Sequence, residues 1–320
     1  MSEFYTSAIP YGKNILYRGR TSDGNPVTRK IEYNPTLFVP TKENTKYKTL
    51  DGRPVEPINP GNMKECREFI ERYNDVRGFE VFGNTNYVYQ FLGDAFPDEI
   101  KYDFSKVLIA NIDIETECEN GFPDIENANE RIIAITMIIN DDYHIFGLGE
   151  FDVVREGKNV QQYKFDNEED LLKSFVDLWG DIQPDIVTGW NIDFFDIPYM
   201  VHRMQRLFGE DFPKRLSPWK VIRNRKVFMR DKKHTVYKIL GVSVLDYLET
   251  YRKYTFVNQE SYSLNHIAWV ELGAKKLSYA EYDSLAEFYK RDFPKFMEYN
   301  VKDVELVQQL DAKLRLLELN

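Results

Sequence analysis

Four acidic residues in three separate segments constrain the fold of this chain more than any other feature. Asp113 and Glu115 end the apolar run Leu108-Ile109-Ala110-Asn111-Ile112-Asp113-Ile114-Glu115. Asp196 ends Trp190-Asn191-Ile192-Asp193-Phe194-Phe195-Asp196, and Asp303 ends Tyr299-Asn300-Val301-Lys302-Asp303. If the fold gathers these carboxylates, they form a cluster of hard oxygen ligands, the type that Mg²⁺ and Mn²⁺ prefer. The fold must then bring three distant segments together around cations that balance their charge.

The first two acids lie in a predicted strand over residues 107–115. Alternate residues of a strand project from the same face, so Asp113 and Glu115 point the same way while Ile114 points into the core. Two neighbouring carboxylates repel each other, and a cation between them relieves that cost. The alternative is a solvated strand end with two exposed acids, which this short motif does not exclude.

Asp196 directly precedes a predicted helix over 197–208 and follows a short predicted strand over 185–188. An acid at the start of a helix can be a capping residue, and Pro198 suits a first helical turn. Site residues of α/β sheets also collect beyond the carboxyl ends of the strands. Both interpretations of Asp196 remain open from its local sequence.

Tyr299 and Asp303 are four residues apart in a predicted helix over 293–317, so they share one face. Asp303 could hold a metal ion while the hydroxyl of Tyr299 orients an attacking water. A surface Tyr–Asp pair is the alternative. In this order, and in strand, loop and helix contexts, the three segments together indicate a two-cation site of the kind that cleaves phosphodiesters.

Residues 1–103 are predicted to form a small α+β domain. Short aromatic and β-branched runs are separated by turn sequences such as Asp23-Gly24-Asn25-Pro26, which is typical of a hairpin. Apolar residues at helical spacing predict a helix over 63–73. Two further short strands are predicted near 80–82 and 87–91.

Residues 104–320 are predicted to form an α/β domain, a mixed sheet flanked by helices, because three leading strands are followed by alternating helices and strands. The predicted strands cover 107–115, 131–140, 143–148, 185–188 and 242–247. The predicted helices cover 167–179, 197–208, 263–272 and 293–317. A hairpin is predicted near 221–238, with its turn near Asp231.

Composition excludes several classes of protein. Two cysteines cannot form a disulfide framework, and the four isolated histidines lack zinc-site spacing. The amino terminus lacks the features of a signal peptide, and the longest apolar stretch, 132–139, is too short to span a bilayer. We therefore expect a soluble, cytoplasmic protein without a membrane partner. The net charge of −10 argues against a nonspecific DNA coat, but it is compatible with a metal site built from acids.

The three acidic segments resemble the Exo I, Exo II and Exo III motifs of the DnaQ-like (DEDDy) 3′→5′ proofreading exonucleases. The matching residues are Asp-Ile-Glu, Asn-Ile-Asp-Phe-Phe-Asp and Tyr-x-x-x-Asp. Nearly the whole chain also resembles the amino-terminal half of family B replicative DNA polymerases from T-even-type bacteriophages. Segments outside the motifs carry this narrower resemblance, among them Thr188-Gly189-Trp190-Asn191, Lys214-Arg215-Leu216-Ser217-Pro218 and Ser243-Val244-Leu245-Asp246-Tyr247.

The resemblance implies an RNase H-like exonuclease domain that acts on frayed, single-stranded 3′ ends of primer–template DNA in an infected bacterial cytoplasm. It implies that four carboxylates hold two divalent ions, Mg²⁺ or Mn²⁺, and that Tyr299 positions the attacking water. Those carboxylates belong to Asp113, Glu115, Asp196 and Asp303. Four further positions match family residues that contact the DNA strand: Phe122, Asn191, Ser263 and Leu264.

The segment 221–238 is strongly basic in an acidic chain, with a single acid, Asp231. Its basic residues are Arg223, Arg225, Lys226, Arg230, Lys232, Lys233 and Lys238. Such a patch suits contact with phosphates, and in the resembled family a β-hairpin at this place helps to separate primer from template. We therefore expect Arg223 and Arg225 to contact DNA. The alternative is a solvated basic edge that discourages aggregation.

The polymerase motifs Ser-Leu-Tyr-Pro-Ser and Asp-Thr-Asp-Ser are not found in the sequence. We expect either an excised fragment or one subunit of a polymerase encoded as two chains, with an incomplete amino-terminal domain and a polymerase-domain chain as partner. Two other functions stay open. The chain could bind RNA or act as a scaffold through residues 1–103, or it could be a free-standing RNase of the same superfamily.

Overall fold

The computed structural model describes residues 3–119, 121–229 and 232–319. The chain forms two compact units that divide between Lys106 and Val107. No helix within the described residues is both long and apolar enough to cross a lipid bilayer.

The first unit contains an antiparallel three-stranded sheet in the order β1-β2-β3. Two short strands, β4 and β5, form a separate antiparallel pair. Buried Ile15 and Tyr17 of β2 pack with Met63 and Cys66 into one apolar core. The strands are β1 (Glu3–Tyr11), β2 (Asn14–Thr21), β3 (Pro26–Glu32), β4 (Leu37–Pro40) and β5 (Val55–Ile58).

Two helices cover this core. Helix α1 (Met63–Tyr73) has the bounds predicted from its apolar spacing, and Asn62 and Glu65 form a capping box at its start. The prediction of a strand over 87–91 is wrong, because Tyr87–Ala95 forms helix α2. Tyr87 and Phe91 are both buried while Tyr89 is 65% exposed, so the aromatic residues follow helical spacing. The predicted strand near 80–82 is reduced to an isolated bridge between Phe82 and Phe38.

The second unit is built on a six-stranded mixed sheet in the order β13-β10-β6-β7-β8-β9. Helices flank it, which confirms the predicted fold class. Its strands are β6 (Ile109–Thr116), β7 (Ile132–Ile139), β8 (Asp142–Leu148), β9 (Asn159–Phe165), β10 (Ile186–Gly189) and β13 (Ser243–Asp246). Its helices are α3 (Glu168–Ile182), α4 (Asp196–Phe208), α5 (Tyr247–Tyr254), α6 (Leu264–Leu272), α7 (Leu285–Arg291) and α8 (Phe293–Leu314).

The two faces of the sheet bury different residues of the same strands. Ile112 and Ile114 of β6 pack with the apolar sides of α3 and α4 in one core. Ile145 of β8 packs with α7 and α8 residues such as Phe288 and Met297 in a second core. The period-2 alternation of the strands produces both cores, and it directs Asp113 to the face that α8 covers.

One strand and two α-helices among the described residues of this unit were not predicted from the sequence. Strand β9 pairs with β8 at the edge of the sheet and is half polar (Asn159-Val160-Gln161-Gln162-Tyr163-Lys164-Phe165), so it lacks the apolar run that marks a buried strand. Helix α5 begins directly after β13, without an intervening loop. Helix α7 has only seven residues, which is too short for a clear helical period.

The basic segment forms an antiparallel hairpin of β11 (Ile222–Met229) and β12 (Lys232–Ile239). Arg223 pairs with Lys238, and Arg225 pairs with Val236. The turn predicted near Asp231 lies outside the described residues.

Gly189, the last residue of β10, is required by a close approach of two backbones. A Cβ atom there would lie 2.3 Å from the carbonyl oxygen of Ile112. We predict that Gly189→Ala costs roughly 1–3 kcal/mol of unfolding free energy, because a backbone carbonyl cannot move aside as a side chain can. Gly180→Ala in α3 is the matched control: its Cβ meets open space, and the change should stabilise the helix by up to about 1 kcal/mol. Urea unfolding of both variants measures this, and equal midpoints would contradict the packing argument.

Candidate metal centre

Strand β6 holds two of the predicted site residues in a fixed position. It is hydrogen-bonded to β10 on one side and to β7 on the other. Asp113 and Glu115 are half-buried and project from the face opposite Ile112 and Ile114. Asp113, Glu115 and Asp303 each offer a carboxylate oxygen, and these oxygens all lie within 4.8 Å of one another. Three carboxylates from two distant segments therefore converge.

Asp196 is not among the acids whose oxygens lie within 4.8 Å of one another, but it contacts the β6 backbone beside them. Strand β10 ends at Gly189, so the β6 backbone beyond Asn111 has no strand partner on that side. Asp196 Oδ1 accepts a hydrogen bond from the Ile114 amide at 3.0 Å, which satisfies that donor between Asp113 and Glu115. The N-cap position of α4 is Phe195, and it makes no side-chain cap bond. The carboxylate of Asp196 is thus directed to the sheet.

Helix α8 supplies the last acid. Asp303 is only 3% exposed and Tyr299 is 9% exposed, so they are not a surface pair. Asn300, between them in sequence, donates a hydrogen bond from Nδ2 to Asp113 Oδ2 at 2.7 Å. Its Oδ1 accepts from the hydroxyl of Thr136 on β7. These contacts fix the face of α8 that carries Tyr299 and Asp303 against β6.

Lys276 is a member of the cluster that the sequence did not reveal. Its ammonium group donates to Asp303 Oδ2 and lies 3.5 Å from the hydroxyl of Tyr299. Lys276 lies outside the helices and strands, beside a second lysine, Lys275. Nothing in its local sequence marks it, because its role depends on a contact with a residue 27 positions away.

The carboxylates raise one another's proton affinity. Burial, and then the neighbouring carboxylates of Asp196, Glu115 and Asp303, raise the pKa of Asp113 well above its usual range. Burial and Asp303 raise the pKa of Glu115 to about 8. Burial raises the pKa of Asp196 to about 7, although the hydrogen bond from Ile114 works in the opposite direction. The carboxyls therefore bind protons more tightly than isolated carboxyls do, and a divalent cation could take the place of those protons.

Burial and neighbouring charge also shift the pKa values of Asp303 and Lys276. Burial raises the pKa of Asp303, while the ammonium of Lys276 opposes that shift. Burial works to lower the pKa of Lys276, but Asp303, Tyr299 and Asp113 together outweigh it and the pKa is raised. One buried oxygen of Asp303, Oδ1, has no hydrogen-bond partner among the described residues. A buried carboxylate oxygen without a donor, in a cluster of hard oxygen ligands, fits a divalent cation.

A cleft of about 670 Å³ opens onto the carboxylates. Three of the six residues expected to contact DNA line it, namely Asn191, Ser263 and Leu264, together with Asp113 and Asp303. Asn191 has a left-handed backbone conformation at the end of β10, and Ser263 caps α6 by accepting from the His266 amide.

Phe122, Arg223 and Arg225 are not among the described residues that line this cleft. Phe122 is 81% exposed, and its ring centroid lies 5.4 Å from that of Phe195, the residue before Asp196. Arg225 of the hairpin is close enough to Asp193 to lower that carboxyl's pKa, although burial and Asp246 raise it overall to about 7. Phe122 and Arg225 thus contact the loop between β10 and α4 and do not line the cleft.

Residues 94–267 match the model of the family described as DNA polymerase family B, exonuclease domain. The chain belongs to this family. The matched range includes Asp113, Glu115 and Asp196, whereas Tyr299 and Asp303 follow it in sequence. Because the fold and the family agree, the unit of residues 107–320 contains a family B exonuclease domain, which makes the chain a nuclease.

Two phage proteins are similar to this chain over nearly its whole length, including the residues before the exonuclease domain. The DNA-directed DNA polymerase of Escherichia phage RB69 is 34% identical over all of this chain, and that of Enterobacteria phage T4 is 34% identical over 97% of it. The chain spans 38% and 37% of those two relatives. The DNA polymerase catalytic subunit of Alcelaphine herpesvirus 1 is 31% identical over 68% of the chain and 22% of the relative.

The raised pKa values of the carboxyls in the candidate metal centre predict how the stability of the folded chain depends on pH. Between about pH 5 and 8, the folded chain retains protons on Glu115 and Asp196 that the unfolded chain has released. The free energy of unfolding in EDTA should therefore fall as pH rises through this window, and Mg²⁺ should restore it at the upper end. Urea unfolding at several pH values measures this.

Glu115→Gln is the control for this pH dependence, because it removes one titrating carboxyl and keeps its shape. The variant should lose less stability than the parent chain between about pH 5 and 8. A parent chain whose stability rises with pH across the window, or a variant with an unchanged slope, would show that these carboxyls are not held in the protonated form.

Proposed function

We propose that this chain is a metal-dependent 3′→5′ exonuclease that removes nucleotides from frayed single-stranded DNA ends, as the proofreading part of a replicative polymerase. One observation carries the proposal: carboxylate oxygens of Asp113, Glu115 and Asp303 lie within 4.8 Å of one another in a family B exonuclease domain, and Asp196 accepts from the Ile114 amide beside them. Asp113 and Asp303 also line a cleft. Each acid alone has an ordinary structural explanation, but their convergence does not.

The four carboxylates would hold two divalent cations, Mg²⁺ or Mn²⁺. Bound there, such ions polarise the scissile phosphate and lower the pKa of an attacking water. The donor set fits them, because it contains oxygen ligands only and leaves Asp303 Oδ1 without another partner among the described residues. The ions would also bring the positive charge that phosphate needs in an acidic site.

Tyr299 and Lys276 would orient the reacting groups. Burial raises the pKa of Tyr299, so its hydroxyl keeps its proton at neutral pH and can donate a hydrogen bond to a water or a phosphate oxygen. Lys276 stays charged because Asp303 and Asp113 raise its pKa. Its ammonium group, 3.5 Å from the Tyr299 hydroxyl, can fix the orientation of that hydroxyl and offset charge that develops on the phosphate.

The cleft would select a DNA end by how easily that end unpairs rather than by its base sequence. Asn191, Ser263 and Leu264 line the cleft together with Asp113 and Asp303, and the exposed ring of Phe122, which contacts Phe195 next to Asp196, would offer a stacking surface for a base. Stacking tolerates any base. A mispaired terminus costs less to unpair than a matched one, so it reaches the site more often.

The substrate would come from a polymerase active site on the same polypeptide or on a partner chain. The basic hairpin, with Arg223 and Arg225, would contact the phosphates of primer–template DNA. The phage relatives are named DNA-directed DNA polymerases, which favours a DNA substrate over an RNA ligand or a purely scaffolding role.

Asp113→Asn tests the catalytic role of the cluster. The substitution keeps the shape and an oxygen that can accept from Asn300, but it removes a charge that the cations require. With Mg²⁺ and a 5′-labelled oligonucleotide with a frayed 3′ end, we expect the rate of shortening to fall by ~10³-fold or more, which corresponds to several kcal/mol of barrier. Gel resolution of the products measures the rate and the direction of cleavage.

Asp181→Asn is the matched control, because Asp181 is an exposed acid on α3 that is not one of the grouped carboxylates. It should keep the parental rate. Retained activity in Asp113→Asn would refute the assigned site. Products shortened from the 5′ end, or faster cleavage of an RNA oligonucleotide of the same sequence, would refute the assigned reaction.

A further inference from the structure

A buried carboxylate at the end of β13 collects hydrogen bonds from two different segments. Asp246 is 3% exposed. Its Oδ1 accepts from the amides of Leu248 at 2.9 Å and Glu249 at 3.4 Å, which caps α5. The same carboxylate also accepts from Asn191 at 3.1 Å and from Asp193 at 3.0 Å. Only the first pair of bonds is explained by helix capping.

The second pair holds the loop between β10 and α4. Asn191 has a φ of 68°, a left-handed conformation that costs energy in a residue other than glycine. Its carbonyl oxygen accepts from the amides of Phe194 and Phe195 at 3.2 and 3.1 Å. The loop is thus a tight turn whose amides at 191 and 193 point at one carboxylate, and Asp246 stabilises that conformation.

The loop ends at Asp196, one of the four acids of the candidate metal centre. Asp246 lies directly opposite Gly189, the residue from which the loop departs, in the parallel pairing of β13 with β10. At the other end of the loop, Asp196 reaches the Ile114 amide of β6. The position of Asp196 along β6 therefore depends on a turn that is anchored to a neighbouring strand through Asp246.

We propose that Asp246 is a positioning residue for metal binding: by holding the amides of Asn191 and Asp193, it places Asp196 within reach of the ions that Asp113, Glu115 and Asp303 would share. The inference rests on the proposed function. It also places the Asn191 side chain, which lines the cleft. Residues that orient a metal ligand without touching the metal commonly change metal affinity by about 10–100-fold when they are substituted.

Asp246→Ser separates the two roles of this carboxylate. Serine is a good N-cap, so it can still accept from the amides of Leu248 and Glu249 and preserve the start of α5. Its single oxygen is one bond closer to the backbone and cannot also hold Asn191 and Asp193. Thr188→Val is the matched control, since it removes the buried 2.7 Å hydrogen bond from Thr188 to Leu245 O between the same two strands without touching the loop.

Three measurements on the full chain distinguish positioning from general stability: Mn²⁺ binding by electron paramagnetic resonance without DNA, urea unfolding, and shortening of a single-stranded DNA at rising Mn²⁺. We expect Asp246→Ser to weaken Mn²⁺ binding by ~10-fold or more and to regain activity at high Mn²⁺. Thr188→Val should bind Mn²⁺ like the parent chain, even if both variants unfold at lower urea concentration.

Other outcomes overturn the inference. Parental Mn²⁺ affinity in Asp246→Ser would show that Asp246 only caps α5. If that variant does not fold, Asp246→Asn replaces it, because the amide keeps the shape but sets an NH₂ group against at least one loop amide. Loss of Mn²⁺ binding only in proportion to the unfolded fraction of both variants would show a structural role alone. A parent chain that neither binds Mn²⁺ nor cleaves DNA would refute the proposed function instead.

Discussion

Mutual repulsion among four carboxylates is the constraint on which the exonuclease unit depends. Asp113 and Glu115 lie where β6 is paired with β7 alone, beyond its pairing with β10, and Asp303 lies on α8, the longest helix of the described residues. Asp196 is bound to the Ile114 amide in the gap where β10 ends. The two apolar cores on either side of the sheet must supply the stability that this arrangement costs, because the elements that carry the acids are packed into those cores.

The site is balanced only in part by its own residues. Lys276 contributes one positive charge, and Asn300 contributes one donor to Asp113. Asp303 Oδ1 still lacks a partner among the described residues, and the pKa values of all four acids are raised. Such incomplete balance is typical of sites that gain their last charges from a bound cation. The mutual repulsion of these carboxylates and their affinity for a divalent cation have the same physical origin.

Local periodicity predicted those parts of the site that depend on a single element. The i, i+2 spacing placed Asp113 and Glu115 on one face, and the i, i+4 spacing did the same for Tyr299 and Asp303. Local periodicity failed for α2, whose aromatic residues suggested a strand, and for β9, which is half polar and lacks an apolar run. Lys276, Asn300 and Asp246 were missed because each acts through a contact with a distant segment. The convergence itself was expected from the resemblance to a family, since no single segment contains it.

The most direct test of the central claim is a crystal structure of the chain soaked with Mn²⁺, with anomalous scattering used to locate the ions. We expect two peaks about 3.5–4 Å apart, ligated by Asp113, Glu115, Asp196 and Asp303. The Lys276 ammonium should then either leave Asp303 or contact it alongside a metal ion. A matched soak of Asp113→Asn should lose at least one peak. Peaks elsewhere on the surface with none among these carboxylates, or Asp196 directed away from the β6 strand, would contradict the account.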